Sequence, residues 1–232
     1  MERIVKAEWL DELPADDPRA ARSRRDIQRL NLITGHHRIM AEALDTALNG
    51  RSPRRIVELG AGNGRFLLSV ARCMNNRPQT LDAILVDRAD GFDPDVRGEL
   101  KHLGWNPVIE IADALDWLHQ QSGARANGII VANQFLHQFE SSVLAEMLRL
   151  AANSADVLIA VEPQRGSFPL LCSRLVGFAG CGAVTRYDAP ISVRAGFNDC
   201  ELSALWPDQK NWELTERRAG WFSHLFIARR KV

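Results

Sequence analysis

The sequence predicts an α/β fold, in which a parallel β-sheet is covered by helices on both faces. Short apolar runs alternate with amphipathic helical patterns from residue 55 onward, and a glycine-rich turn follows the first of these runs. The chain then closes on two strand-like runs with only three residues between them. Such alternation is typical of parallel sheets with right-handed helical crossovers. The ligand site of such a sheet is expected at the carboxyl ends of its strands.

Two amphipathic helices are predicted ahead of the first strand. Apolar residues recur at helical spacing through residues 17–48, and Gly35 indicates a break between two helices. Because both helices precede the alternating series, they stand outside the minimal sheet.

The alternating series itself contains five strands and four helices. The hydrophobic spacing predicts strands at 55–59, 81–87, 107–111, 128–133 and 156–162, and helices at 65–74, 94–103, 114–120 and 140–152.

The end of the chain departs from this series. The runs at 211–217 and 221–230 are separated only by residues 218–220, too few for a helical crossover, so we predict an antiparallel hairpin at the sheet edge. An apolar insert at 166–207, with helices expected at 169–179 and 199–205, precedes this hairpin. Its position after the fifth strand indicates that it lies over the carboxyl edge of the sheet.

Composition and charge exclude several classes of protein. Apolar residues make up 46% of the 232 residues and charged residues 25%, as in an ordinary globular domain. Twenty-nine basic residues balance twenty-nine acidic ones, so no overall positive field favours nucleic acid or an anionic membrane. We therefore expect neither as a partner.

The cysteines and the N-terminus indicate the cytosol. Four cysteines are spread without a C-x-x-C pair, and no histidine and cysteine cluster has metal-ligand spacing, so we expect reduced thiols and no metal. No signal-like segment and no run of about 20 apolar residues is present. We expect a cytoplasmic protein that is a monomer or a homodimer.

The glycine-rich turn is the most informative motif. It reads Glu58-Leu-Gly-Ala-Gly-Asn-Gly64 and is followed by a helix. Glycine allows positive φ and close approach of a ligand to the backbone, and the helix start offers free N–H groups. The spacing G-x-G-x-G puts Arg65 where a dinucleotide fingerprint has its third glycine, which argues against a nicotinamide-dependent oxidoreductase.

An acid followed by alternating glycines resembles the first motif of the class I S-adenosylmethionine-dependent methyltransferases. The resemblance covers residues 54–230, because Asp87, Asp113 and Asn133-Gln-Phe-Leu-His137 follow successive strands where that family contacts the ribose, the adenine and the methionine part. It implies a seven-stranded sheet of order 3-2-1-4-5-7-6 with a reversed last strand, and S-adenosylmethionine as the cofactor. The implied cofactor-binding residues are Glu58, Gly60, Ala61, Gly62, Gly64, Asp87, Arg88, Asp113, Ala114, Asn133 and Gln134.

Three further stretches, 22–26, 183–188 and 192–196, are similar to bacterial methyltransferases associated with type III polyketide synthases. That likeness implies a phenolic or polyketide-type acceptor, a small molecule of secondary metabolism. In this interpretation residues 1–50 form a helical lid, residues 51–232 form the methyltransferase domain, and the insert caps the substrate.

Histidine is the candidate base, since a phenol with a pKa near 10 is protonated at neutral pH. His36, His37 and His137 are the candidates near the strand ends. Each has a structural alternative: His36 and His37 as solvated residues at a helix end, and His137 as support for its loop. Gln138 stands where the family often has a second histidine. Likewise, Asp87 could belong to a turn, Glu58 could bond nearby amides, and Asp113 could cap a helix.

The sequence leaves the acceptor atom open. A carbon or nitrogen acceptor needs less help from a base than a phenol does, so C- or N-methylation remains an alternative to O-methylation. A subunit that binds the cofactor without catalysis is a further alternative.

Overall fold

A seven-stranded β-sheet forms the centre of the protein. The structure is a computed structural model and describes residues 1–14, 16–74, 80–121 and 128–231. The strands are β1 (Arg55–Leu59), β2 (Leu81–Asp87), β3 (Trp105–Ile111), β4 (Gly128–Asn133), β5 (Val157–Pro163), β6 (Trp212–Ala219) and β7 (Ser223–Arg230). Their order is β3-β2-β1-β4-β5-β7-β6. The first five are parallel, and β7 is antiparallel to β5 and β6. The predicted α/β fold and strand order are confirmed.

Helices cover both faces of this sheet. The α-helices of the described residues are α1 (Trp9–Glu12), α2 (Pro18–Thr34), α3 (His36–Leu48), α4 (Arg65–Cys73), α5 (Pro94–His102), α6 (Ala114–Gln120), α7 (Ser141–Ser154), α8 (Ser167–Arg174), α9 (Ala183–Ala195) and α10 (Glu201–Leu205).

The sheet separates two apolar cores, because successive side chains of a strand point to opposite faces. In β1, Ile56 belongs to the core that contains residues of α3, α4 and α5. Its neighbour Val57 belongs to the core that contains residues of α6, α7 and α10. The same alternation holds in β4, where Ile129 and Ile130 lie in different cores. Burial on both faces explains the continuous apolar runs of the parallel strands.

The two N-terminal helices have clear local start and stop signals. The carboxylate of Asp17 accepts a hydrogen bond from the amide of Arg19, and Pro18 occupies the first turn of α2. Gly35 adopts a φ of 74° and ends α2 immediately before α3 begins. The predicted helix pair and its break at Gly35 are confirmed.

The insert leaves and rejoins the sheet at one point, beyond β5. Gln164 and Phe197 form a parallel bridge, and the amide of Arg165 donates to the carbonyl of Phe197 at 2.9 Å. A Cβ atom on Gly196 would lie 2.3 Å from the carbonyl oxygen of Pro163, so only glycine fits this crossing. Residues 166–195 therefore form an excursion whose two ends are joined by backbone hydrogen bonds.

Within the insert, the structure corrects the predicted helix at 169–179. α8 ends at Arg174, and a separate 3₁₀ turn covers Val176–Ala179. Gly177 lies in that turn, and glycine lowers helix propensity.

The helix α9 was not predicted. Its N-cap residue, Gly182, carries no capping side chain, and Pro190 lies in its interior. Asp26 of α2 supplies the missing acceptor, because its Oδ2 accepts from the amide of Gly182 at 2.7 Å and from the hydroxyl of Thr185 at 3.2 Å. The start of α9 is thus stabilised by a residue far away in the sequence.

The terminal hairpin is shifted relative to its prediction. β6 continues to Ala219, which pairs with Ser223, and the turn covers residues 220–222. Gly220, with a φ of 77°, begins the turn instead of ending it.

Residues 1–14 lie against α9. The amide of Ile4 donates to the carbonyl of Arg194 at 3.1 Å, and the amides of Trp9 and Leu10 donate to Asp188 at 2.8 and 3.1 Å. The ring of Trp9 stacks on that of Tyr187 at a centroid distance of 4.0 Å. In the described part of the chain, no helix has the length and apolar character needed to cross a membrane.

Candidate active site

A cavity of about 900 Å³ opens at the carboxyl ends of the parallel strands. The loops after β1 to β4 form one side of it, and α2, α8, α9 and residues 7–13 form the other. Of the residues predicted to act in the site, those that line the cavity are Glu58, Gly60, Ala61, Gly62, Asp87, Arg88, Asp113, Ala114, Asn133, Gln134, His36 and His137. Gly64 and His37 are not among its lining residues.

The three glycines after β1 have different surroundings, although all have positive φ, at 71°, 57° and 78°. A Cβ atom on Gly60 would meet the ring of Phe135 at 2.3 Å, and one on Gly64 would meet Leu85 at 2.9 Å. Gly62, by contrast, has no atom within 4 Å of a Cβ position. Gly60 and Gly64 therefore allow close internal packing, whereas Gly62 leaves open space beside the cavity.

Asp87, at the end of β2, holds the glycine loop in place. Its Oδ2 accepts from the amide of Gly62 at 2.8 Å, and its Oδ1 accepts from the amide of Ala89 at 2.9 Å. Because a carboxylate offers about four acceptor sites, Asp87 can still accept hydrogen bonds from a ligand. The position of Asp87 is consistent with both interpretations of the sequence, a structural role in the turn and a contact with the ribose.

Glu58 is a buried acid with an unused acceptor. It is 2% exposed, and in the described residues its Oε2 has no hydrogen-bond partner. Burial, and secondarily the charge of Asp87, raises the pKa of Glu58 well above its ordinary value. A cationic or N–H-bearing ligand group in the cavity would supply the missing partner.

Asp113 caps α6 by accepting from the amides of Leu115 and Asp116 at 2.8 and 3.4 Å. The capping carboxylate still lies on the cavity wall, so Asp113 could both cap α6 and make the predicted contact with the adenine. Nearby, the guanidinium of Arg88 lies 3.6 Å from the carboxylate of Asp11, which closes this end of the cavity with the N-terminal segment.

After β4, Asn133 and Gln134 meet His36 from α3. Nδ1 of His36 lies 2.8 Å from Oδ1 of Asn133 and 3.5 Å from Nε2 of Gln134. Burial lowers the pKa of His36 to about 4, so the ring is neutral at pH 7. Nδ1–H then donates to Asn133 and leaves the lone pair on Nε2. Gln134 adopts a φ of 54°, a conformation in which a residue other than glycine is strained.

His137 has a different environment, because carboxylates flank both ring nitrogens. Nδ1 lies 2.8 Å from Oε2 of Glu162, and Nε2 lies 3.3 Å from Oε1 of Glu8. Burial disfavours the charged form of His137, but the hydrogen bonds that its ring donates to Glu162 and Glu8 prevail and raise its pKa to about 9. At neutral pH both nitrogens therefore carry protons, and neither is free to accept another.

The remaining candidate, His37, is buried beside α2. Burial lowers its pKa, and in the described residues its Nδ1 has no hydrogen-bond partner. Its side chain belongs to the packing of α3 and not to the cavity wall.

Sequence reasoning assigned no role to several acids of this site. Glu162 at the end of β5 accepts from the amides of Phe135, Leu136 and His137 and so fixes the loop after β4. A charged residue at the end of a wholly apolar strand is the signal that could have found it, as it found Glu58. Glu8 and Asp188 carry no such signal, because neither follows a strand.

The fold is shared with solved structures of methyltransferases. The plantazolicin methyltransferase BamL, solved with a triazolic desmethylPZN analog and SAH, is 12% identical with a TM-score of 0.62, over 96% of this chain and 93% of that one. An O-methyltransferase family protein from Burkholderia thailandensis is 18% identical with a TM-score of 0.57, over 93% and 61%. The mitomycin 7-O-methyltransferase MmcR is 16% identical with a TM-score of 0.58, over 96% and 60%.

These identities establish a common fold. The chain spans about three fifths of the length of the second and third of these proteins. The sequence matches no protein-family profile and no curated protein.

Proposed function

We propose that this protein is an S-adenosylmethionine-dependent methyltransferase that methylates an oxygen of a small phenolic or polyketide-type molecule. One observation carries the proposal: Glu58, Asp87 and Asp113 lie at or just beyond the carboxyl ends of three neighbouring strands. All three line a single cavity together with Gly62, which leaves open space there. The shared fold, and the SAH named for one of the solved structures, support the choice of cofactor.

The residues present fit that cofactor. Asp87 would accept hydrogen bonds from the ribose hydroxyls, Asp113 would contact the adenine, and the unpartnered oxygen of Glu58 would meet the amino group of the methionine part. Gly62 leaves room for close approach of the ligand. When bound, S-adenosylmethionine supplies an electrophilic methyl group on a sulfonium, and S-adenosylhomocysteine is the product.

His36 is the base in this proposal. Its neutral Nε2 would take the proton from the acceptor hydroxyl, while Asn133 holds the ring through Nδ1–H. His137 keeps a positioning role instead, because its two nitrogens are already bonded to carboxylates.

The other wall of the cavity would orient the acceptor and exclude water. Its apolar residues come from α2 and from the insert, among them Ile27, Leu30, Leu175 and Val176. In a displacement at a methyl group, the nucleophile must approach opposite the leaving sulfur, so orientation in a dry site supplies much of the rate enhancement. Residues 1–50 and 166–207 would form this cover.

Calorimetry with S-adenosylmethionine and NADH tests the cofactor directly. We expect saturable binding of S-adenosylmethionine and none of NADH, whereas the reverse would identify an oxidoreductase. Mass spectrometry of a phenol panel incubated with the cofactor tests the reaction. Binding without turnover on any phenol, amine or electron-rich ring would favour a subunit that binds the cofactor without catalysis.

A further inference from the structure

Glu8 reaches the strand ends from the N-terminal segment and is held there by two partners. Its Oε1 lies 3.3 Å from Nε2 of His137 and also accepts from the hydroxyl of Ser192 on α9. Side-chain hydrogen bonds on one oxygen fix the orientation of the whole carboxylate. Glu8 is 8% exposed, so this orientation is maintained inside the protein.

The second oxygen of Glu8 is uncommitted. Both side-chain hydrogen bonds of Glu8 are on Oε1, so in the residues that the structure describes Oε2 has no hydrogen-bond partner. Glu8 also lines the cavity. A carboxylate oxygen on the wall of a cavity gains a strong hydrogen bond from any N–H or O–H that a ligand offers there. His36 and Glu8 both meet the loop after β4, one through Asn133 and one through His137, so they flank the same end of the cavity.

Two further carboxylates are close enough to Glu8 to interact with its charge. Asp11 and Asp188 line the same cavity, and desolvation together with the neighbouring carboxylate of Glu8 raises the pKa of each to about 6. At pH 7 both are therefore mainly ionised. Two cations of the cavity are paired with these acids, since His137 lies between Glu8 and Glu162 and Arg88 lies beside Asp11. Arg24 of α2 also lines the cavity.

We infer that Glu8 recognises the acceptor: its free oxygen accepts a hydrogen bond from an amine or hydroxyl group of the acceptor, and its charge excludes acceptors that carry a carboxylate. The inference rests on the proposed function and adds the charge class of the substrate to it. An ammonium group on the acceptor fits best, because it is both a donor and a countercharge.

Three phenols that differ only in side-chain charge test this inference. Tyramine, 4-ethylphenol and 3-(4-hydroxyphenyl)propionate carry an ammonium group, no charge and a carboxylate. Binding of each to the protein saturated with SAH is measured by calorimetry. We expect tyramine to bind roughly tenfold or more tightly than the propionate, since a charge-assisted hydrogen bond is gained in one case and a like-charge contact in the other.

The variant Glu8→Gln keeps the size of the side chain and one oxygen for His137 and Ser192. It removes the charge and replaces the free oxygen with an NH2 group, which donates and does not accept. We expect this variant to bind tyramine about tenfold more weakly and to bind the propionate more tightly. We expect its affinity for 4-ethylphenol to stay nearly unchanged. Glu12→Gln makes the same charge change in the same segment on an exposed residue outside the cavity, and we expect it to leave the order of the three affinities unchanged.

The outcomes separate this inference from the proposed function. If the wild-type protein does not bind SAH, the proposed function fails and the inference falls with it. If SAH binds but the propionate binds as tightly as tyramine, or tyramine does not bind, the inference alone is overturned. If Glu8 had only a structural role, Glu8→Gln would weaken the binding of all three phenols by the same factor. That result would also overturn the inference.

Discussion

The carboxylate of Glu162 lies 2.8 Å from Nδ1 of His137, and both side chains are buried. The same carboxylate also accepts from three backbone amides of the loop after β4. Removal of either partner would leave a buried charge alone, which is strongly destabilising, so the pair and the three amide hydrogen bonds hold the loop together. The end of β5 thus determines the shape of the loop that faces the cavity floor.

This pair makes stability depend on pH in a defined direction. The pKa of His137 rises from 6.5 to about 9 on folding, so the stabilisation is complete below about pH 6.5 and is lost as the pH rises toward 9. We expect the difference in unfolding free energy between wild type and His137→Gln, measured with urea, to fall over that range by up to about 3 kcal/mol. The exposed His102→Gln serves as the control. A difference that does not vary with pH would contradict the charged state of His137.

Filling the space beside Gly62 should abolish cofactor binding. In Gly62→Val the added side chain enters the open space next to the cavity, and calorimetry should detect no binding of S-adenosylmethionine. Any side chain at this φ of 57° is also strained, so Gly50→Val is the matched control, with a φ of 79° and open surroundings away from the cavity. Equal loss of affinity in both folded variants would mean that strain, and not occupied space, is responsible.

Removing the carboxylate of Asp87 should weaken cofactor binding more than tenfold. Each charge-assisted hydrogen bond to a ribose hydroxyl contributes roughly 1.5–3 kcal/mol, and Asp87→Ala also releases the amide of Gly62. Asp90→Ala removes an exposed acid three residues further on and should leave the dissociation constant unchanged. A change below twofold for Asp87→Ala would show that the ribose binds elsewhere.

Replacing His36 should slow methyl transfer to a phenol most at neutral pH. The low pKa of His36, about 4, keeps the ring neutral, so its contribution should persist down to about pH 5. We expect His36→Gln to reduce turnover by about a hundredfold at pH 7 and by far less near pH 10, where the phenol ionises without help. His37→Gln, at the adjacent position outside the cavity wall, should retain full turnover. A pH profile unchanged by His36→Gln would favour a carbon or amine acceptor, or catalysis by proximity alone.

Asp188 should control the attachment of the N-terminal segment. Its two oxygens accept from the amides of Trp9 and Leu10, so Asp188→Ala should raise the hydrogen-exchange rate of both amides about tenfold. Arg186→Ala, an exposed change on the same helix, is the comparison and should leave these rates alone. Protected amides in Asp188→Ala would mean that the stacking of Trp9 on Tyr187 holds the segment without the carboxylate.

Sequence patterns predicted the sheet and one side of the site. Apolar runs and the turn after β1 carry local signals, so the strands and the wall formed by Glu58, Gly62 and Asp87 could be anticipated. The strand order was anticipated from the resemblance to a known family and not from these local signals. The opposite wall depends on contacts between distant segments. Glu8 meets His137 across 129 positions of the chain, and α9 begins at a cap provided by Asp26. Neither partner carries a local pattern that identifies the other.

If the proposed function holds, the closed base of the insert makes the part of the wall that would contact the acceptor separable from the part that would bind the cofactor. Residues 166–195 begin and end at the hydrogen-bonded junction of Gln164, Arg165 and Phe197, so a segment of another length can be grafted there at little extra cost in chain entropy. Gly196 must be retained at the splice, because a side chain would collide with Pro163. Under the proposed function, a chimaera built at this junction would change the acceptor preference and would keep the strand register and the residues proposed to bind the cofactor.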